Sequence, residues 1–122
     1  MMTKELDPQA PWVYRLTLVD HALAAGTMSQ AFYEWHEAHG EAFRSGRWEA
    51  LLAVGDAAAR IDAAMGSAVD FRADARRVYL AALVRARAEY SAAGVRRIAE
   101  AFARLGDHEL AERAFRVAQD LC

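Results

Sequence analysis

The residue types best suited to chemistry stand together in Glu34-Trp35-His36-Glu37-Ala38-His39-Gly40-Glu41. A cluster of this composition raises metal-dependent peptide hydrolysis. That site sets two histidines four apart on one helix face, with a glutamate directly after the first. Here the histidines are three apart and Gly40 takes the place of the second ligand. The hydrolase reading is excluded. His36 and His39 still share a helix face and are the candidates for a simpler metal site, which needs more ligands from His21, His108 or a carboxylate. The apolar periodicity puts His39 on the packed stripe and His36 beside it. That placement predicts one packed, hydrogen-bonded histidine and one at the rim.

Nucleophilic catalysis finds no support. Ser29, Ser45, Ser67 and Ser91 fall at or near expected helix ends, where a hydroxyl serves as a cap. None occupies a nucleophile elbow. The single cysteine, Cys122, has no basic partner close in sequence. The seven glycines are spaced as helix punctuation rather than as a phosphate loop. Together these features predict a non-catalytic chain with no cofactor. A DNA-reading helix-turn-helix over residues 99–117 is disfavoured as well. Its second helix would lead into the groove with Asp107, Glu109 and Glu112, which repel phosphate.

The arginines are the more informative polar feature. Arg96, Glu100 and Arg104 recur four apart, opposite Ile98, Phe102 and Leu105. Such a strip is either a partner-binding face or a solvated one laced by Arg–Glu pairs. Arg72, Arg76 and Arg87 are placed to extend a basic surface.

These residues must be held by helices, because apolar residues recur three or four apart along the chain. The expected order is a leader over residues 1–10, then a single helical domain over 11–122. The first helix opens at Pro11, a favoured first-turn residue, and runs to Ala25. Further helices are expected over 29–44, 47–65 and 68–92, the last being the longest and apolar on two sides. Gly94 is expected to divide it from a fifth helix, and Gly106 the fifth from a sixth. Ser67-x-x-Asp70 has the form of a capping box. About six antiparallel helices joined by short turns follow, all-α in class.

The stretch Val95 to Gln119 has two such amphipathic halves hinged at Gly106-Asp107. Ile98, Ala99 and Phe102 precede the hinge, and Ala111, Phe115 and Ala118 follow it. This pattern resembles the tetratricopeptide (TPR) repeat, a helical hairpin. Gly26, Ala31, Trp35 and Ala38 repeat its second half; Gly46, Trp48, Glu49 and Ala50 repeat the opening of a second helix with one residue missing. The resemblance implies a stack of helical hairpins, with Trp35 and Phe115 as equivalent buried anchors. It also implies that the first helix of each hairpin lines a groove, which places Arg96, Glu100 and Arg104 in that lining. The implied function is a protein-protein interaction module that binds a protein or an acidic peptide. An irregular helical bundle is the alternative fold. A helical accessory subunit of an enzyme complex, or a histidine-based metal-binding protein, is the alternative function.

Composition sets the outer bounds. The 122 residues fit one domain able to bury roughly two-thirds of its unfolded surface. Alanine supplies 29 of them, which favours helix. A net charge of −2 gives no general attraction to nucleic acid or to anionic membranes. Residues 1–62 carry 9 acids and 5 bases, and residues 63–122 carry 8 acids and 10 bases. Fourteen of the fifteen bases are arginine, as in a GC-rich bacterial genome. The sequence shows neither a signal-peptide pattern nor a membrane-length apolar run. A cytoplasmic protein with a protein partner, or one that self-associates, is the expectation.

Overall fold

The computed structural model describes residues 10–66 and 70–121. Among them are six helices and no strand: α1 (Pro11–Ala25), α2 (Met28–Ser45), α3 (Trp48–Met65), α4 (Phe71–Ala88), α5 (Ala92–Leu105) and α6 (His108–Asp120). Of the expected leader only Ala10 is described, as the N-cap of α1. The rest of it, Ser67 and Cys122 lie outside the described residues. Asp70 does not reach back as the expected capping box has it: it is itself the N-cap of α4, its side chain accepting the Ala73 N–H at 3.3 Å, and the helix opens at Phe71 rather than near residue 68.

Three turns close their helices in the same way. The N–H of Thr27 reaches Ala22 O at 2.9 Å, that of Ser91 reaches Ala86 O at 3.0 Å, and that of Asp107 reaches Phe102 O at 2.9 Å. Each bond needs a left-handed residue just before the donor, a position that glycine fills without strain. Gly26 and Gly106 fill it at φ 75° and 94°, whereas Tyr90 fills it at φ 56°. This third turn corrects the expected fourth helix, which stops at Ala88 instead of reaching residue 92. The Ser91 hydroxyl then accepts the Gly94 N–H at 3.0 Å and starts α5. Gly94 is thus inside a helix and divides nothing. A Cβ there would stand 2.8 Å from the Trp48 ring, and one on Gly55 would stand 2.5 Å from the Tyr79 ring. These two glycines are close-approach positions; with Gly40 they are the ones that do not punctuate helices.

The helices pair in sequence order as α1 with α2, α3 with α4, and α5 with α6. α2 meets α3 and α4 meets α5, joining successive hairpins into a stack. First helices also touch across hairpins, α1 with α3 and α3 with α5, while the backbones of α2, α4 and α6 stand apart from one another. The stack therefore has a tight inner side made by α1, α3 and α5 and an open outer side made by the second helices. α3 sits at the centre and buries nine residues, from Trp48 to Ile61. Aromatic side chains bridge the remaining gaps. Phe71 stacks on Phe32 at 5.3 Å and meets Trp35 edge-on at 5.0 Å. Tyr79 meets Phe102 edge-on at 5.5 Å.

Gly26, Gly66 and Gly106 all sit at turns inside hairpins, at forty-residue intervals. Gly46 instead joins the first hairpin to the second, so Trp48 opens a first helix and not the second helix expected for it. Trp35 is fully buried as expected, and its indole N–H donates to Val54 O at 2.9 Å. Phe115 is only half-buried. The reason is position: among the described residues α6 has only α5 packed closely against it, so part of the ring stays open to solvent.

Candidate functional site

On the inner side, α3 and α5 part enough to leave a groove of about 530 Å³ with α4 at its back. Its floor is small side chains, Ala59, Ala63 and Ala101, which let the walls approach. Its polar lining is Asp56, Arg60 and Asp62 from α3, Arg72 and Tyr79 from α4, and Arg104 from α5. Helical spacing explains the α3 set, since residues 56, 59, 60 and 63 share one face.

Asp56 organises the groove. It accepts the Tyr79 hydroxyl at 2.6 Å and lies 3.9 Å from the Arg104 guanidinium. Burial, then the hydrogen bond to Asp56, push the Tyr79 phenol above its ordinary pKa, so it remains a proton donor at every physiological pH. Arg60 turns outward to Asp20 of α1 at 3.0 Å. Of the three arginines, Arg60 is drawn to Asp20 and Arg72 to Asp107, so the exposed Arg104 is the one placed to take an anionic oxygen.

Of the three residues expected to bind a partner, only Arg104 lines this groove. Glu100 and Arg96 are exposed on α5, and Arg104 turns to Asp56 on the neighbouring helix rather than along its own. The basic surface expected from Arg72 and Arg76 is corrected. Both arginines grip Asp107, Arg72 at 3.0 Å and Arg76 through two hydrogen bonds of 2.8 and 2.9 Å. Arg72 also donates to Leu105 O at 3.1 Å. Asp107 occupies the N-cap of α6 but makes no side-chain cap bond, because the arginines hold it. Their hydrogen bonds keep its carboxyl below the usual pKa. This cluster docks the last hairpin onto the middle one.

The histidine pair behaves differently from a ligand set. His36 is exposed and His39 half-buried, both with rings about 5 Å from the Trp35 ring. Burial first, then the nearby His36, lower the His39 pKa. Among the described residues, no three histidine, cysteine, aspartate or glutamate side chains converge as a metal site. A buried carboxylate went unnoticed in the sequence: Glu34 is 4% exposed and accepts from Arg15 at 2.9 Å and Gln30 at 2.7 Å. Asp56 and Tyr79 were missed too. The signal for Asp56 was its isolation as an acid within the apolar run LLAVGDAAA.

The architecture is a three-hairpin helical stack with a polar groove on its inner side. Comparison with protein-family models, with curated proteins and with solved structures finds no match. No helix among the described residues is long and apolar enough to cross a membrane.

Proposed function

We propose that the chain is a non-catalytic protein-interaction module of TPR type. Its inner groove takes an acidic or C-terminal segment of a partner protein. The observation that carries this reading is Arg104 in the groove lining, exposed and only loosely held by Asp56, with small alanine side chains beside it that leave room for a ligand. Guanidinium groups bind carboxylates through paired hydrogen bonds, which suits arginine better than lysine for the task. The Arg104–Asp56 contact, at 3.9 Å and with Arg104 65% exposed, is weak enough to exchange for a ligand carboxylate. Arg96, exposed two turns earlier on α5, adds positive charge that draws an acidic ligand in without lining the groove.

A labelled peptide ending in several acidic residues and a free carboxylate tests this reading directly. It is expected to bind the wild-type chain, and to bind less tightly as salt rises, since exposed charges screen over about 8–10 Å. Arg96→Ala with Arg104→Ala should weaken it about tenfold or more while unfolding free energy changes by no more than about 0.5 kcal/mol. Undiminished affinity in a folded double variant would remove the inner groove from consideration.

A further inference from the structure

The open outer side carries a second groove, between α4 and α6, of about 560 Å³. It is lined by Leu83, Val84, Ala88, Val117 and Leu121, with Tyr90 at one end and Arg87 at the rim. Three features of it are unexplained by folding. Val84 is 68% exposed on the outer face of α4. Tyr90 is 79% exposed in a left-handed turn position that Gly26 and Gly106 fill elsewhere in the chain. A bulky residue there is strained, and its exposed ring gains no packing in return. The turn's hydrogen bonds call for the left-handed backbone but not for a tyrosine in it, and an exposed ring kept at such a position points to a ligand. Arg87, finally, is the sole charged residue of the lining, and no described acidic side chain pairs with it.

We propose that this outer groove receives an amphipathic helix from a different protein. Its apolar stripe lies along Val84, Val117 and Leu121 under the Tyr90 ring, and its acidic residues face Arg87. Charge decides between this occupant and a second copy of the chain. In the neighbouring hollow between α2 and α4, beside the exposed ring of Phe43, Arg77 is paired with Asp74, so Arg87 is the charge on which the choice turns. A two-fold contact of this face with itself would set arginine against arginine, whereas an acidic helix meets complementary charge. The site does not depend on the inner groove, which lies on the opposite side of the stack.

The probe is a fluorescent synthetic helix of roughly 18 residues, about five turns, with leucines on one stripe and glutamates beside it. A control peptide carries lysines in place of the glutamates. Saturable binding of the glutamate peptide, at least about tenfold tighter than the lysine peptide, is the expected result. Val84→Asp and Tyr90→Gly should each weaken it about fivefold or more, and Arg87→Glu should reverse the preference towards the lysine peptide. Tyr90→Gly should also leave the melting temperature unchanged or raised, because it relieves the left-handed strain. Arg104→Ala should have no effect on this peptide. Equal binding of the two peptides, or indifference to Val84→Asp and Arg87→Glu, overturns the proposal. So does a wild-type dimer that Val84→Asp dissolves, since a second copy would then be the occupant.

Discussion

Truncating Trp35 to alanine is expected to cost about 3–5 kcal/mol of unfolding free energy. The side chain is 2% exposed, donates to Val54 O across a hairpin boundary, and supports the rings of Phe71 and His39. Its removal opens a cavity where α2, α3 and α4 meet and leaves the buried Val54 carbonyl with its helical partner alone. Against a total stability of roughly 5–15 kcal/mol for a domain of this kind, one substitution takes away a large share. Phe115→Ala should cost only about 1–2 kcal/mol, because its half-exposed ring removes less apolar area from water. Urea titrations of the two variants check both values. Losses of equal size would show that the final helix encloses its ring as fully as the second does.

The other large effect belongs to Asp107. Replacing it with alanine should cost about 2–3 kcal/mol, since hydrogen bonds to charged groups contribute about 1.5–3 kcal/mol each and these are partly screened. Its side chain is 12% exposed, while Arg72 and Arg76 are 39% and 38% exposed and rehydrate once released. The pH dependence follows from its lowered folded pKa. An unfolded aspartate titrates near about 3.9. The ionised group therefore contributes stability above about pH 4, and this is lost as the pH falls through 4 towards the folded value. Melting temperatures of wild type and Asp107→Asn should differ most at neutral pH and converge as acid protonates the folded carboxyl. A gap that persists in acid would mean that the arginines stabilise the turn without the charge.

Most of the architecture was legible because alanine-rich helices declare their apolar period plainly. Pro11 and Gly26 marked the first helix to the residue, and the turn at Gly106 was equally plain. The break at Tyr90 was not, since nothing in local propensity calls for tyrosine in a left-handed position. Gly94 looked like the break because a glycine within a helix and one between helices are the same letter; only the Trp48 ring above it tells them apart. The forty-residue repeat was hidden for a related reason. Counting from Gly26 and Gly106, the second helices carry small, large and small residues at Ala31, Trp35, Ala38 and at Ala111, Phe115, Ala118. Counting from Gly66, the middle hairpin inverts the order with Phe71, Ala75 and Val78. Phe71 fits against Trp35 because the two repeats are not alike. Of the candidate site, Arg104 was visible on its own helix. Its neighbours Asp56 and Tyr79 come from other helices, and no spacing rule within one helix relates them.

The sequential pairing of the helices bears on how the chain reaches this structure. Each hairpin touches its neighbours in sequence, and the first and third share next to no backbone contact. Search for the native state is then local, with short loops to close and little entropy lost before contacts form. The middle hairpin is the piece that both others require, so ordering there commits the molecule, and each end can open and close again without the other. Asp107 makes that freedom unequal. It latches the carboxyl-terminal hairpin to α4 through two partly buried arginines, whereas at the other boundary the charged pair of Arg60 with Asp20 is exposed and the Trp35 indole with its neighbouring rings makes the buried contact. Acid therefore loosens the carboxyl-terminal end first, because it discharges the carboxylate that both arginines hold.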